Sequence, residues 1–572
     1  MELCIQGHPF TVLPGESLGH VIGRLGLDAP ALSERPLAAR LAGETLQLHF
    51  VPLESAEGTP RPAPILEQAL AAGCGELSLV YYKSFWGRRI YERTLLFVFL
   101  LAMHRCFPGA KTRIDYAVGA GLFARVEKEP ALTSRDAEII KAEMEAIVSE
   151  DLPLVRRRLS LKEARAGFEA LGRTDQLALL DWRPFPYFDV YGQGDYMDYF
   201  YGEMAPSTGY ASVFDLIYHE GGLMLLRPDP DNPDRPAAFC HMPKLSATLQ
   251  ESSRWGELMH CGDVAQLNTM VKEGTVRELI RVNEALHEKK YAAVADQVVA
   301  KGARVVLIAG PSSSGKTTSA NRLSTQLRVL GKTPVLLSLD DYYIDRDKVE
   351  REPDGSIDLE HIRTIDTALF SEHLAALLRG ETVELPSFDF VIQRRVWKGH
   401  RLTIGPDTVL IIEGLHSLNP ALLGDAVPPE QVFKFYVSAL TTLNLDDHNR
   451  IPTTNLRLLR RMVRDYETRG ASIEQTLSMW SSVRRGEERW IFPYQETADA
   501  MMNTTLVYEP AVLKKHIYPM LLAVPPENPW YDQVRAIVKF LNYFTEAEVE
   551  DEIPPTSILR EFVGGNAFYR KG

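Results

Sequence analysis

The sequence predicts a multidomain α/β protein that contains a parallel β-sheet, and three observations support this prediction. Its 572 residues are enough for about three or four domains, each with a buried core. In the second half of the chain, apolar strand-like runs alternate with helical patterns, the order that βαβ units produce. A glycine-rich loop, GPSSSGKTT at 310–318, directly follows the first of these runs. The predicted strands are 305–309, 334–339, 409–412 and 432–437.

Charge and cysteine content restrict the functional classes. With 63 basic and 76 acidic residues the formal net charge is −13, which disfavours nucleic-acid binding by bulk electrostatics but leaves a local basic patch and small phosphorylated ligands open. The five cysteines form no CxxC pair, which is typical of a reducing compartment, so we expect the cytoplasm. The first residues lack a secretory leader pattern, and the most apolar run, 95–103, predicts a buried helix because it is too short to span a bilayer.

Composition shifts indicate the domain boundaries. Strand-like segments and one amphipathic helix alternate up to residue 54, and closely spaced prolines at 59–64 then favour an extended linker. Helical segments at 91–103, 135–150 and 161–171 mix with strands at 111–118 and 121–127, the pattern of an α+β domain. A long periodic stretch then predicts a connecting helix. The expected division is 1–54, 65–270, 275–302, 303–545 and a carboxyl-terminal tail, 546–572.

The glycine-rich loop predicts a phosphate-binding site. Glycines let backbone N–H groups close around phosphates, the lysine reaches the β and γ oxygens, and the hydroxyl of the next residue can hold Mg²⁺. A strand before the loop and a helix after it are the context that this chemistry needs, so we expect a nucleotide-dependent phosphotransferase or hydrolase. The predicted nucleotide-binding residues are Gly310, Ser312, Ser313, Ser314, Gly315, Lys316, Thr317 and Thr318, with Thr317 also at the metal.

Two later strands end in acidic residues, Asp340 and Glu413. In a parallel sheet, ligands bind beyond the carboxyl ends of the strands, and a carboxylate there can take the proton of an attacking hydroxyl or hold Mg²⁺. We expect Asp340 to be the base and Glu413 to be a carboxylate on the metal side. The alternatives are a turn or N-cap residue for Asp340 and a solvated side chain for Glu413.

An arginine-rich helix is predicted at 456–469. Its arginines recur at helical spacing, which puts them on one face, with apolar residues on roughly the opposite face. Only two acidic residues lie among them, so we expect a lid whose guanidinium groups clamp phosphate oxygens. A solvated amphipathic face is the alternative. The arginines that share the face are Arg457, Arg460, Arg461 and Arg464.

From 304 to about 543 the chain resembles the uridine kinase and phosphoribulokinase branch of phosphate-loop kinases. The matching motifs, in order, are GPSSSGKTT, LSLDDYYIDRD at 337–347, LPSFDF at 385–390, VLIIEG at 409–414 and the arginine-rich helix. The resemblance implies that Asp340 takes the proton of a nucleoside 5′-hydroxyl. Members that bind pyrimidine nucleosides carry a histidine near the position of Gln393, so base specificity stays open.

The same resemblance implies roles for further residues. It implies a nucleoside pocket lined by Tyr343, Asp358 and Phe388, to which we add Gln393. It implies a lid in which Arg457 and Arg460 act in catalysis together with Lys316, while Arg464 and Arg469 bind the nucleotide.

The amino-terminal half resembles threonyl-tRNA synthetase. Residues 1–54 resemble its β-grasp TGS module, and 65–270 its editing-type α+β domain, with the stretch PGAKTRIDYAVG at 108–119. The editing family's HxxxH and CxxxH motifs have counterparts at 104–108 and 240–244 that lack the second histidine, which argues against deacylation. The order of the three modules matches a group of multidomain bacterial nucleoside kinases.

We therefore expect ATP- and Mg²⁺-dependent phosphoryl transfer to the 5′-hydroxyl of a nucleoside. One alternative is a kinase of another small alcohol, such as a sugar phosphate or pantothenate. Another is a nucleotide-gated regulator that binds RNA through the amino-terminal modules, and the least favoured is an aminoacyl-tRNA deacylase. The oligomeric state and the order of the tail stay open.

Overall fold

The computed structural model describes residues 2–5, 8–12, 16–41, 44–49, 76–351, 358, 360–424 and 427–568. The predicted proline linker at 59–64 lies outside these residues. Across the described ranges, no helix combines the length and the apolar character needed to span a bilayer.

The amino-terminal strands form a mixed sheet with one short helix against it. The helix Leu18–Arg24 begins after Ser17, whose hydroxyl accepts a hydrogen bond from the His20 N–H. The fifth strand of the sheet lies beyond the predicted module end at residue 54, and it completes the core because its Leu77 is buried together with Leu18. The strand order is His8–Thr11, Glu2–Ile5, Glu76–Val80, Ala38–Leu41 and Glu44–Leu46.

An α+β region follows, built around the helix Phe85–Cys106. Its apolar run from Leu95 to Met103 is buried, because an antiparallel sheet and the helix Ser134–Glu150 pack on it. This sheet has the order Asp215–His219, Gly222–Leu226, Gly121–Glu127 and Lys111–Val118, and a second sheet has the order Tyr196–Asp198, Tyr187–Gln193 and Arg157–Ser160. The other helices of the region are Leu161–Ala170, Thr174–Leu180, Pro243–Leu258 and Val264–Glu273.

A five-stranded parallel sheet forms the centre of the second half, as the alternating pattern predicts. Val306 and Ile308 are buried in one apolar cluster and Val305 and Leu307 in another, because successive side chains point to opposite faces and helices cover both faces. The carboxyl ends of the strands therefore share one edge. The strand order is Thr333–Ser338, Thr408–Glu413, Val305–Ala309, Val432–Ser438 and Ala500–Asn503.

The helix Val276–Lys301, where the sequence predicts a connector, packs along the helix that follows the phosphate loop. The Tyr291 hydroxyl is 2.8 Å from Ser319 Oγ, and Arg322 pairs with Glu284. The long helix therefore contributes to the core beside the parallel sheet. The helices of this half are Val276–Lys301, Lys316–Val329, Thr367–Leu378, Thr453–Arg469, Ile473–Trp490, Glu509–Leu522, Tyr531–Leu541 and Arg560–Val563.

A two-stranded hairpin, Val383–Asp389 with Arg394–Leu402, carries the LPSFDF motif. Its turn is exposed, with Val391 91% accessible. The first strand of the hairpin leads towards the acidic end of the strand Thr333–Ser338, since the Phe388 N–H donates to Asp341 Oδ1 at 3.3 Å. The hairpin thus borders the edge of the sheet where the acidic residues lie.

Candidate active site

The glycine-rich loop joins the strand Val305–Ala309 to the amino terminus of the helix Lys316–Val329. Gly315 caps this helix with a φ of +81°, a backbone region that favours glycine. Gly310 runs so close to the neighbouring strand that a Cβ there would lie 2.0 Å from the carbonyl oxygen of Val437. Since the first N–H groups of a helix point out of its end and favour anions, the loop forms an anion-binding site at the edge of the sheet.

The side chains of the loop differ in their surroundings. The hydroxyls of Ser313 and Ser314 are buried and have no hydrogen-bond partner within the described part of the chain. The Lys316 ammonium donates to the carbonyls of Gly310 at 3.1 Å and Pro311 at 3.2 Å. Loss of hydration lowers the pKa of Lys316, and the nearby carboxylates of Glu413 and Asp340 oppose this shift.

The two predicted carboxylates follow adjacent strands and lie near the lysine. Glu413 Oε1 accepts from Thr317 Oγ1 at 3.3 Å and from Ser338 Oγ at 3.2 Å. Asp340 is hydrogen-bonded to the Tyr343 hydroxyl. Loss of hydration raises the pKa of both carboxyl groups, and Lys316 lowers both. The structure therefore brings Lys316, Thr317, Asp340 and Glu413 together, as the sequence predicts.

An aromatic cluster borders Asp340. The ring centroids of Tyr343 and Phe388 are 5.5 Å apart, and those of Phe388 and Phe390 are 5.1 Å apart. Because Tyr343 also contacts Asp340, the cluster presents an aromatic surface next to the candidate base.

The other two predicted substrate residues, Asp358 and Gln393, have different surroundings. Asp358 accepts from the Glu360 N–H at 3.1 Å and from Trp490 Nε1 at 3.5 Å. Gln393 lies in the exposed turn of the hairpin with a φ of +56°. The structure therefore brings Tyr343 and Phe388 to Asp340, whereas Gln393 is at the surface.

Glu360 is a site residue that motif reading missed. Its charge acts on the hydroxyl of Tyr343, and its own charge is stabilised by Arg461 and Lys316. Loss of hydration raises the pKa of Glu360 to about 7. Only its place two residues after Asp358 signals it in the sequence.

The helix Thr453–Arg469 is not the lid of free guanidinium groups that the sequence predicts. Arg457 is 2% exposed and Arg460 is fully buried. Glu487 pairs with Arg457, and Glu509 pairs with Arg460 at 2.6 Å. These acids lie 30 and 49 residues further along the chain, beyond the reach of a helical-spacing argument. Since a buried charge needs a partner, the arginines lie inside, against carboxylates of two other helices.

The buried arginines contact the phosphate loop. Arg457 Nε donates to the carbonyl of Ser312 at 3.1 Å, and Arg460 Nη1 donates to the carbonyl of Ser313 at 3.3 Å. The carboxylate of Glu487 also accepts from the Ser312 N–H at 3.0 Å. This network holds the first half of the loop in one conformation.

Arg464 and Arg469 lie at the other end of the same helix face. Their side chains are 16% and 56% exposed, and both pair with Asp465. Arg464 acts on the pKa of Lys316, and Arg469 on that of Asp340. The charges of these two arginines therefore act on the lysine and on the candidate base.

Part of the sequence matches a known protein family. The model of the Phosphoribulokinase / Uridine kinase family matches residues 305–507. A uridine kinase of Halobacterium salinarum is 29% identical over 197 residues, which are 34% of this chain and 77% of that protein. A uridine kinase of Staphylococcus haemolyticus is 30% identical over 199 residues, which are 35% of this chain and 86% of that protein.

Two solved structures are similar to the same half of the chain. A possible uridine kinase of Bacillus stearothermophilus has 20% identity and a TM-score of 0.25, covering 38% of this chain and 98% of its own. A D-glycerate 3-kinase of Cryptococcus neoformans has 17% identity and a TM-score of 0.20, and the match covers 48% of this chain and 87% of that protein.

The family model begins at residue 305, and the TGS-like and editing-like character of the amino-terminal half stays a prediction. The matched residues include the phosphate loop, both acidic strand ends and the arginine helix. The chain therefore belongs to the phosphoribulokinase and uridine kinase family, and it is an ATP-dependent kinase that acts on a nucleoside or another small alcohol.

Proposed function

We propose that this kinase transfers the γ-phosphoryl group of ATP to the 5′-hydroxyl of a nucleoside. The observation that carries the proposal is the position of Asp340, which is hydrogen-bonded to Tyr343 beside an aromatic cluster. Asp340 follows the strand Thr333–Ser338, and a single strand separates this strand from the one that leads into the phosphate loop. Aromatic rings offer a stacking surface for a nucleobase, and a carboxylate at the edge of that surface can accept a hydroxyl proton. The similarity of about a third of the chain to uridine kinases supports this assignment.

Asp340 is the proposed base. Loss of hydration raises the pKa of Asp340, which makes its carboxylate a stronger proton acceptor than an ordinary aspartate. The Tyr343 hydroxyl orients the carboxylate, because a hydrogen bond to one oxygen limits its rotation. The acceptor hydroxyl would then lie between Asp340 and the phosphate loop.

The phosphate groups are held by the loop. The backbone N–H groups in the first turn of the helix Lys316–Val329 and the ammonium of Lys316 are the proposed phosphate ligands, and such fixed donors stabilise phosphoryl transfer. The buried Arg457 and Arg460 support this arrangement through the loop carbonyls, whereas Arg464 and Arg469 supply positive charge nearer to the transferring group.

Mg²⁺ fits the residues beside the loop. Glu413 and Thr317 present oxygen atoms within 3.3 Å of each other, and Mg²⁺ prefers oxygen ligands shared between one or two protein groups and substrate phosphates. When bound, the ion would neutralise charge on the phosphates.

The acceptor pocket is proposed to combine the aromatic cluster with Asp358 and Glu360. A carboxylate can accept two hydrogen bonds from neighbouring ribose hydroxyls, and we propose this contact for Asp358, which the sequence predicts to line the nucleoside pocket. Gln393 stays a proposed contact of the base, which requires the hairpin turn to move towards the bound nucleoside.

The test is release of ADP from ATP and Mg²⁺ in the presence of nucleosides, sugar phosphates and pantothenate. We expect one nucleoside to stimulate release, and Asp340→Asn to lower kcat by about 10²- to 10⁴-fold, the usual contribution of a general base. Lys316→Ala should have an effect of similar size without a change in thermal unfolding. Asp347→Asn is the matched control, since Asp347 is exposed and pairs with Arg394.

Stimulation by a sugar phosphate or pantothenate alone would move the assignment to another alcohol. ADP release without any acceptor dependence would contradict the kinase mechanism and favour a nucleotide-gated regulator. Near-normal turnover by folded Asp340→Asn would remove Asp340 as the base.

A further inference from the structure

The carboxyl-terminal segment 553–563 packs against the phosphate loop. Its residues Ile553, Ile558 and Phe562 are at most 2% exposed. A Cβ on Gly315 would lie 2.8 Å from Ile558 Cγ2, so the segment touches the loop at its helix-capping glycine. The last part of the chain is thus part of the nucleotide site.

Glu561 carries the chemically important contact of this segment. The Thr318 hydroxyl donates to Glu561 Oε2 at 2.7 Å, and Arg464 Nη1 is 3.9 Å from Glu561 Oε1. The charge of Glu561 also acts on Lys316. Thr318, Arg464 and Lys316 are three of the groups expected to face the phosphates, so the carboxylate is an anion held by phosphate-binding residues.

The segment is anchored from both sides of Glu561. The Ser557 hydroxyl donates to Glu284 Oε1 at 2.5 Å, and Arg560 Nη2 donates to the carbonyl of Ile553 at 2.9 Å. The guanidinium of Arg460 lies over the ring of Phe562 at 5.1 Å. Glu561 is therefore held against the loop by packing and hydrogen bonds on its own segment.

We propose that the segment 553–563 competes with the nucleotide for the phosphate loop. The Glu561 carboxylate accepts the hydrogen bond that a phosphate oxygen would accept from Thr318, and a carboxylate and a phosphate that share one donor would repel each other. Nucleotide binding therefore displaces the short helix Arg560–Val563 from the loop. The proposal rests on nucleotide binding by the loop and is independent of the acceptor.

The test is the affinity of the full chain for ADP, measured by titration calorimetry. Removing the charge removes the competitor, so Glu561→Gln and Glu561→Ala should both bind ADP at least about fivefold more tightly, as expected for the loss of a hydrogen bond to a charged group. Glu552→Gln is the matched control, because it removes the same charge from the residue just before the segment, where Glu552 pairs with Arg277 and Arg281.

Hydrogen exchange on the wild-type chain is the second measurement. Addition of ADP should accelerate amide exchange across 553–563, because the displaced segment loses its packing. The proposal requires both tighter ADP binding by the Glu561 variants and faster exchange across 553–563 when ADP is added. Unchanged exchange overturns it.

Equal ADP affinity of the Glu561 variants and wild type, with normal acceptor-dependent turnover, overturns this inference alone. Weaker binding by both variants also overturns it, and indicates that Glu561 accepts hydrogen bonds from the nucleotide's ribose. Absence of ADP binding by every variant, together with absence of turnover, overturns this inference and the proposed function.

Discussion

At the scale of single residues, position decides what each carboxylate can do. Asp340 and Asp341 are neighbours in the sequence, yet Asp340 contacts the Tyr343 hydroxyl while Asp341 accepts from the backbone of Phe388. Asp340 is the proposed base, whereas Asp341 binds the hairpin strand through Phe388. The same residue type thus serves two purposes one position apart.

Loss of hydration should make the activity sensitive to weakly acidic pH. It raises the pKa of Glu413 to about 7 and that of Asp340 above its usual range. The proposed base must be ionised, so activity is present above the raised pKa and is lost as the pH falls through it. We expect kcat/KM to decline at a distinctly higher pH than the pH of about 4 at which an ordinary aspartate loses its charge.

A pH–rate profile with a saturating second substrate measures this decline. Glu360→Gln is the control, because the pKa of Glu360 is also raised to about 7 and its removal should leave the acid limb in place. A profile that stays flat down to pH 5 would contradict the prediction.

At the scale of secondary-structure elements, three helices support the phosphate loop together. The arginine helix contributes Arg457 and Arg460, and the helices Ile473–Trp490 and Glu509–Leu522 contribute the carboxylates that pair with them. The loop contacts the arginines through the carbonyl oxygens of Ser312 and Ser313, and the Ser312 N–H donates to Glu487. Buried ion pairs of this kind favour one conformation only while both partners are present.

Glu487→Gln should destabilise this support. It leaves the guanidinium of Arg457 buried without its charged partner, which costs about 3–5 kcal/mol of unfolding free energy, and it weakens the contact with the Ser312 N–H. We expect a lower thermal midpoint and a higher KM for ATP.

The matched control is Glu488→Gln, whose side chain is 54% exposed and pairs with Arg484, a pair worth about 0–1 kcal/mol. Partial recovery of the thermal midpoint in the double variant Arg457→Met, Glu487→Met would support the explanation. Equal midpoints for the two single variants would refute it.

At the scale of the whole molecule, a buried polar cluster joins the amino-terminal half to the kinase half. Asp198 contacts His448 Nδ1 at 2.5 Å and Arg173 at 3.3 Å, and Gln176 donates to Asp446 at 3.1 Å. Burial raises the pKa of Asp446 to about 7. The loop that holds Asp446 and His448 leads directly into the arginine helix. Contacts from the amino-terminal half therefore hold the loop that precedes this helix.

Arg173→Gln should therefore affect both stability and activity. It leaves the carboxylate of Asp198 buried beside Asp446 without the arginine, at an expected cost of about 3–5 kcal/mol. We expect a lower thermal midpoint and a reduced kcat, because the loop before the arginine helix loses its support.

Arg165→Gln is the control for the loss of an arginine, since Arg165 pairs with Asp181 at the surface, where an ion pair contributes little to stability. Calorimetric scans and ADP-release assays on both variants measure the two effects. Wild-type turnover by Arg173→Gln would show that the cluster does not act on the site.

Local patterns in the sequence determined the parallel sheet, the phosphate loop and the acidic strand ends. Each depends on residues within about ten positions of one another, such as the run Val305–Ala309 before the loop or Asp340 after its strand. Side-chain alternation and turn chemistry act over such distances, so they can be read without coordinates.

Only the tertiary structure decided which charges are paired and which face the site. The partners of Arg457 and Arg460 lie 30 and 49 residues away, and Glu561 reaches Thr318 across 243 residues. No periodic pattern connects positions so far apart, because their contact depends on how the helices pack around the sheet. The arginine stripe therefore predicted a lid, whereas packing buried Arg457 and Arg460 against the phosphate loop and left Arg464 and Arg469 to act on Lys316 and Asp340.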